Sequence, residues 1–100
     1  MYNLKEDLGK IKSIKLANGV EIIATLLAVD SKSGVVNLGE PRVIVINDDE
    51  LALIPYIFTG ASEEVMIALS QIQSMVDTLP QSASDYTGII EGNKKEDSYR

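Results

Sequence analysis

The side chains that could do chemistry here are carboxylates, lysines, hydroxyls and amides, because the 100 residues contain neither His nor Cys. That absence removes the thiolate and imidazole ligands of structural zinc and the usual bases of Ser and Cys nucleophiles. Asp48, Asp49 and Glu50 could offer oxygens to Mg²⁺ or Ca²⁺, but no Gly-punctuated loop and no terminal bidentate Glu accompany them, so a solvated turn is the better reading. Asp30 and Glu40 could be paired as acid and base, yet no nucleophile elbow or phosphate loop stands with them. Neither catalysis nor a cofactor is expected. Lys10, Lys12 and Lys15 form a basic patch within residues 1–18, where four lysines face two acids. Between residues 19 and 79 only Lys32 and Arg42 oppose nine acids, and the net charge is -6. A polyanion would therefore be repelled by the surface as a whole, and phosphates could be followed only by a local cluster. The commoner role of such a lysine run is a solvated strand edge. Tyr56 and Phe58 offer faces on which bases could stack, but they share strand parity with Ile54, which favours core packing.

The elements that must position these residues read as strands. One hundred residues suffice for one domain, and 45% hydrophobic with 24% charged residues is ordinary globular composition. Without Cys the fold must rest on packing, and no apolar run approaches the length of a membrane span, so a cytoplasmic setting is the default expectation. Asn3 with Glu6 makes a capping box, and Leu4, Leu8 and Ile11 share a helical face, predicting a short amphipathic helix over residues 3–8. Asn18-Gly19 between apolar alternations predicts a hairpin. The second strand, residues 20–29, has a wholly apolar even face, Val20, Ile22, Ala24, Leu26 and Ala28, and an odd face apolar enough to suggest burial there too. A third strand over 35–46 should bend at Gly39-Glu40-Pro41, and a fourth is expected over 51–59. Residues 62–79 admit one helix, since Val65, Leu69, Ile72, Val76 and Leu79 recur at helical spacing. They also admit two strands around Ser70-Gln71, which is the preferred reading. Tyr86, Ile89 and Ile90 could dock locally. The domain should then cover residues 1–90, with strands within 10–79 and a mobile tail over 91–100.

This order resembles Sm and Sm-like proteins. Lys15-Leu16-Ala17-Asn18-Gly19-Val20-Glu21-Ile22-Ile23-Ala24-Thr25-Leu26, with Asp30 after it, is similar to the first Sm motif, a Gly turn before an apolar strand that ends near an acid. Residues 14–46, including Leu38-Gly39-Glu40-Pro41-Arg42, also resemble small Sm-like proteins of T4-type cyanobacterial phages. The resemblance implies a mainly β fold, a short N-terminal helix followed by a strongly bent five-stranded antiparallel open barrel. It further implies a homo-oligomeric ring closed by strand pairing, RNA or single-stranded DNA as partner, and, for a phage protein, the cytoplasm of the host. In such a ring Asp30, Lys32, Ser33, Ser70 and Gln71 would surround the central opening. Two positions depart from the pattern: Val35 stands where uridine-binding relatives place an Asn, and Ser70-Gln71 where they place Arg-Gly. Apolar stretches at 43–46 and 65–69 are the edges expected to pair between copies.

Overall fold

The Asn18-Gly19 turn sets the register of the sheet. Gly19 adopts φ +89°, its N–H donates to the Leu16 carbonyl, and Asn18 Oδ1 accepts from the Val20 N–H at 3.0 Å. The turn joins β1 (Ile11–Leu16) to β2 (Glu21–Asp30), with Ile14 opposite Ile22. The structure is a computed structural model that describes residues 4–97, with side chains described over 6–92.

β3 (Val35–Asn47) pairs along β2 and is the longest strand. It bends where expected: Glu40 and Pro41 stand opposite the single Ala24 between the pairs Ile23 with Arg42 and Thr25 with Gly39, and Glu40 takes φ +48°. Past the bend, β4 (Glu50–Pro55) pairs with the second half of β3, and β5 (Glu64–Ala68) pairs with the first half. β6 (Ile72–Asp77) closes on β1, giving the order β4-β3-β2-β1-β6, with β5 also on β3. Residues 62–79 are thus strands around a 3-10 turn, Leu69–Gln71, and not one helix.

Three expectations are corrected. The N-terminal helix is a single 3-10 turn, Leu4–Asp7, and the α-helix of the fold is α1 (Pro80–Asp97) at the other end of the chain. Gly9 ends the opening turn at φ +88°, and its N–H joins the Leu26 carbonyl, so the chain is already sheet-bonded where a helix would continue. α1 covers residues 91–97 of the segment read as tail, and 98–100 lie outside the described residues. Second, the fourth strand stops at Pro55, because the chain loops out over residues 56–63 before resuming as β5, which makes six strand segments of the expected five. That loop is pinned at both ends to the β3 bend, the Tyr56 N–H to the Pro41 carbonyl and the Glu40 N–H to the Glu63 carbonyl. Phe58 is consequently 73% exposed, since strand parity does not extend past Pro55, while Tyr56 packs against the core. Third, residues 43–46 are no edge, being covered by β4.

The core lies on the inner face: Ile14, Leu16, Ile22, Ala24, Leu26, Val36, Leu38, Ile67 and Met75. The outer face of β2 is covered within the chain over its first half, where Ile23 lies buried and Tyr86 of α1 packs beside Thr25, while Leu27 further along is 38% exposed. No described helix is long and apolar enough to cross a membrane.

Candidate nucleic-acid interface

One hydrogen bond brings the predicted loops together. The Leu69 N–H donates to the Gly34 carbonyl at 2.7 Å, extending the β3–β5 ladder beyond Val35 and Ala68. Residues 30–34 and the turn Leu69–Gln71 therefore sit at one end of the sheet, so Asp30, Lys32, Ser33, Ser70 and Gln71 are neighbours in space. The Ala17 N–H to the Gln71 carbonyl, at 2.7 Å, ties the same end to the β1–β2 turn.

Asp30 organises its loop. Its Oδ1 accepts from the Lys32 and Ser33 N–H groups, at 3.0 and 3.3 Å, and the Gly34 N–H donates to its carbonyl. Gly34 itself is left-handed, at φ +69°. Hydrogen bonds from the Ser33 side chain and from the Ser33 and Lys32 backbone hold the Asp30 carboxyl below its ordinary value. Asp30 is therefore a loop-builder first, and its carboxylate is already engaged within the loop. Lys32, Ser33, Ser70 and Gln71 are exposed, and Lys32 is the cation without a carboxylate partner among the residues whose side chains are described. A loop with one unmatched ammonium, two hydroxyls and one amide can meet a phosphate or a base edge, and discriminates little between bases.

The second basic cluster is arranged differently. Lys12 has the inner-face parity of Ile14 and is 4% exposed, its Nζ held by Asp77 at 2.6 Å and Asp7 at 3.3 Å. Burial disfavours its charge, but hydrogen bonds and charge from Asp77 and Asp7 prevail and raise its pKa; Lys12 in turn lowers that of Asp77. Lys10 reaches Asp7 and Lys15 reaches Glu21. All three lysines are thus matched to acids, and the structure does not assemble them into one unpaired patch.

Two features were not foreseen from sequence. Arg42 is buried, its Nη1 donating to the Pro41 carbonyl and lying 3.4 Å from a Glu63 carboxylate oxygen. A groove of about 810 Å³ runs between α1 and the outer sheet face, with Ile23, Ile44, Leu53, Val76 and Leu79 among its lining. The shared parity of Ile44, Ile46, Leu51 and Leu53 across the β3–β4 pair was the available signal for it.

No family model matches the chain, and no curated protein is similar to it in sequence. Solved structures do match. The SmAP1 heptamer of P. aerophilum is 16% identical over 76% of this chain and 88% of its own, at TM-score 0.54. A heptameric archaeal Sm protein gives 16% identity, 76% and 96% coverage and the same TM-score of 0.54. A chain of the NatC complex bound to CoA gives 12% identity, 80% and 90% coverage, also at 0.54. These likenesses run through most of both chains and identify the architecture: this protein has the Sm fold.

Proposed function

We propose that copies of this chain close into a ring by strand pairing, and that Asp30, Lys32, Ser33, Ser70 and Gln71 of each copy line its opening as a weak, sequence-tolerant site for RNA or single-stranded DNA. The observation that carries this reading is the Leu69-to-Gly34 hydrogen bond, which joins the two loops at one end of the sheet. β5 and β6 supply the edges, since among the described residues β5 pairs with β3 alone and β6 with β1 alone. A ring repeats one unmatched Lys32 once per subunit, turning a feeble contact into a useful one. Two of the fold's neighbours are described as heptamers, which supports closure here too. The resemblance to cyanobacterial phage proteins supports a phage-encoded binding module acting in RNA or DNA processing in the host cytoplasm, without catalysis of its own.

The test is fluorescence anisotropy with labelled uridine, adenosine and thymidine oligomers at two salt concentrations, on wild type and Lys32→Glu. Binding to all three that weakens with salt and is lost in the variant is the expected result. A second reading has its own support in the apolar groove and the net charge of -6: an oligomeric scaffold that holds a protein partner and no nucleic acid. Absence of binding at low salt, with the oligomer intact, would select it.

A further inference from the structure

Residues 56–63 present apolar side chains that the rest of the chain leaves uncovered. Ile57 is 48% and Phe58 73% exposed, while the one acid of the segment, Glu63, is engaged by Arg42. The groove between α1 and the sheet is the complementary feature, floored by Ile23 and rimmed by Val76 and Leu79, with Leu79 72% exposed.

Strand direction connects the two. β5 begins at Glu64, directly after the loop, and β6 ends at Asp77, directly before Thr78 and Leu79. When β5 of one copy pairs antiparallel with β6 of the next, the start of β5 lies beside the end of β6. The loop of the first copy then overhangs Leu79 and the start of α1 in the second. The face agrees as well. Glu63 is held by Arg42, whose cross-strand partner is Ile23, the floor of the groove. The Glu63 end of the loop and the groove therefore lie on the same side of the sheet, while Tyr56 at the other end anchors the loop to the core.

Resting on the ring reading above, we propose that Ile57 and Phe58 of each copy seat in the groove between α1 and the sheet of its neighbour. The interruption of the edge strand is then a knob, and α1 one wall of its socket. Strand pairing alone is nearly blind to side chains, so the knob restricts assembly to chains that carry both the loop and the groove.

The chain has no Cys, so introduced thiols report only on the contacts they are placed in. One double variant, Met66→Cys with Ser74→Cys, spans the strand edges; another, Phe58→Cys with Leu79→Cys, spans knob and socket. Each is treated with a short bismaleimide and examined on denaturing gels, with light scattering on the untreated protein. Both should give ladders of linked chains. A ladder from the edge pair alone would overturn the knob and leave the ring standing, and monomers by light scattering with no ladder from either pair would overturn both. Phe58→Ser should in addition raise the concentration at which the assembly dissociates by about tenfold or more, as loss of a central aromatic anchor does. An unchanged dissociation concentration would remove the knob from the interface.

Discussion

Lys12 shows how a residue's chemistry depends on where its strand puts it. On the inner parity of β1 its ammonium is enclosed, and the charge persists because Asp7 and Asp77 approach it from two other elements. The pH dependence follows from the two directions of shift. Asp77 is held below its ordinary value, so its contribution is complete above the unfolded carboxylate pKa of about 4 and is lost as pH falls through the lower folded value. Lys12 is raised, so its contribution is complete below the unfolded value of about 10.4 and is lost as pH rises through the higher folded one. Urea midpoints of wild type should fall below about pH 4, and Asp77→Asn should start lower and follow a flatter acid limb; parallel curves would show that the pair contributes nothing. Tyr86 is the corresponding residue of the helix. Its hydroxyl shares a hydrogen bond between the Gly39 and Glu40 carbonyls, 2.9 Å from each, beside Thr25 Oγ1. Burial pushes its pKa up, against the opposing hydrogen bond with Thr25. Tyr86→Phe keeps the ring and removes this buried hydrogen bond, and should destabilise by about 0.5 to 1.5 kcal/mol in urea titrations.

At the level of elements, the clearest test is Leu26, fully buried at the centre of β2. Leu26→Ala should destabilise by about 2 to 5 kcal/mol, read from the unfolding midpoint, and a negligible change would mean that the inner face has been assigned to the wrong parity. The hairpin around Asn18-Gly19 and the bend at Gly39-Glu40-Pro41 were legible in the sequence because turn and bulge chemistry is local. So was the turn from Asp30 to Gly34, since an acid capping the next N–H groups is written within four residues. Residues 64–77 were ambiguous for the opposite reason. Their apolar spacing suits a helix equally well, and what makes them strands is pairing with β3 and β1, far away in sequence. α1 was missed as an extended helix because Gly88 and Gly92 lower its helix propensity and its apolar side is thin, Tyr86, Ile89 and Ile90 apart. The burial of Lys12 was illegible because its partner Asp77 lies 65 residues away.

For the whole molecule, the net charge of -6 opposes both the proposed assembly and the proposed nucleic-acid binding, but added salt acts on the two with opposite sign. Copies of an acidic chain repel one another while their edges attract through backbone bonds and apolar contact. Salt screens the repulsion, so association should tighten as ionic strength rises. Oligonucleotide binding through Lys32 should weaken over the same range, because it draws on counterion release. Sedimentation and anisotropy titrations from 50 to 500 mM salt, approximately two Debye-length regimes, should therefore diverge. Parallel trends would mean that binding and assembly share a single electrostatic origin.

The pairing of the first strand with the last also governs how quickly the sheet can form. Ser13 lies opposite Val76, so β1 can complete its ladder only after nearly all of the domain has been gathered. Closing so long a segment is entropically unfavourable before any contact rewards it, which places refolding in the roughly millisecond-to-second range of strand-dominated domains. In stopped-flow experiments, changes at the β1–β2 hairpin should alter the folding limb. Asp77→Asn should instead act mainly on unfolding, as expected of a contact made after the barrier has been crossed. On a ribosome the same topology leaves β1 and its lysine waiting, one edge unpaired, until β6 has emerged.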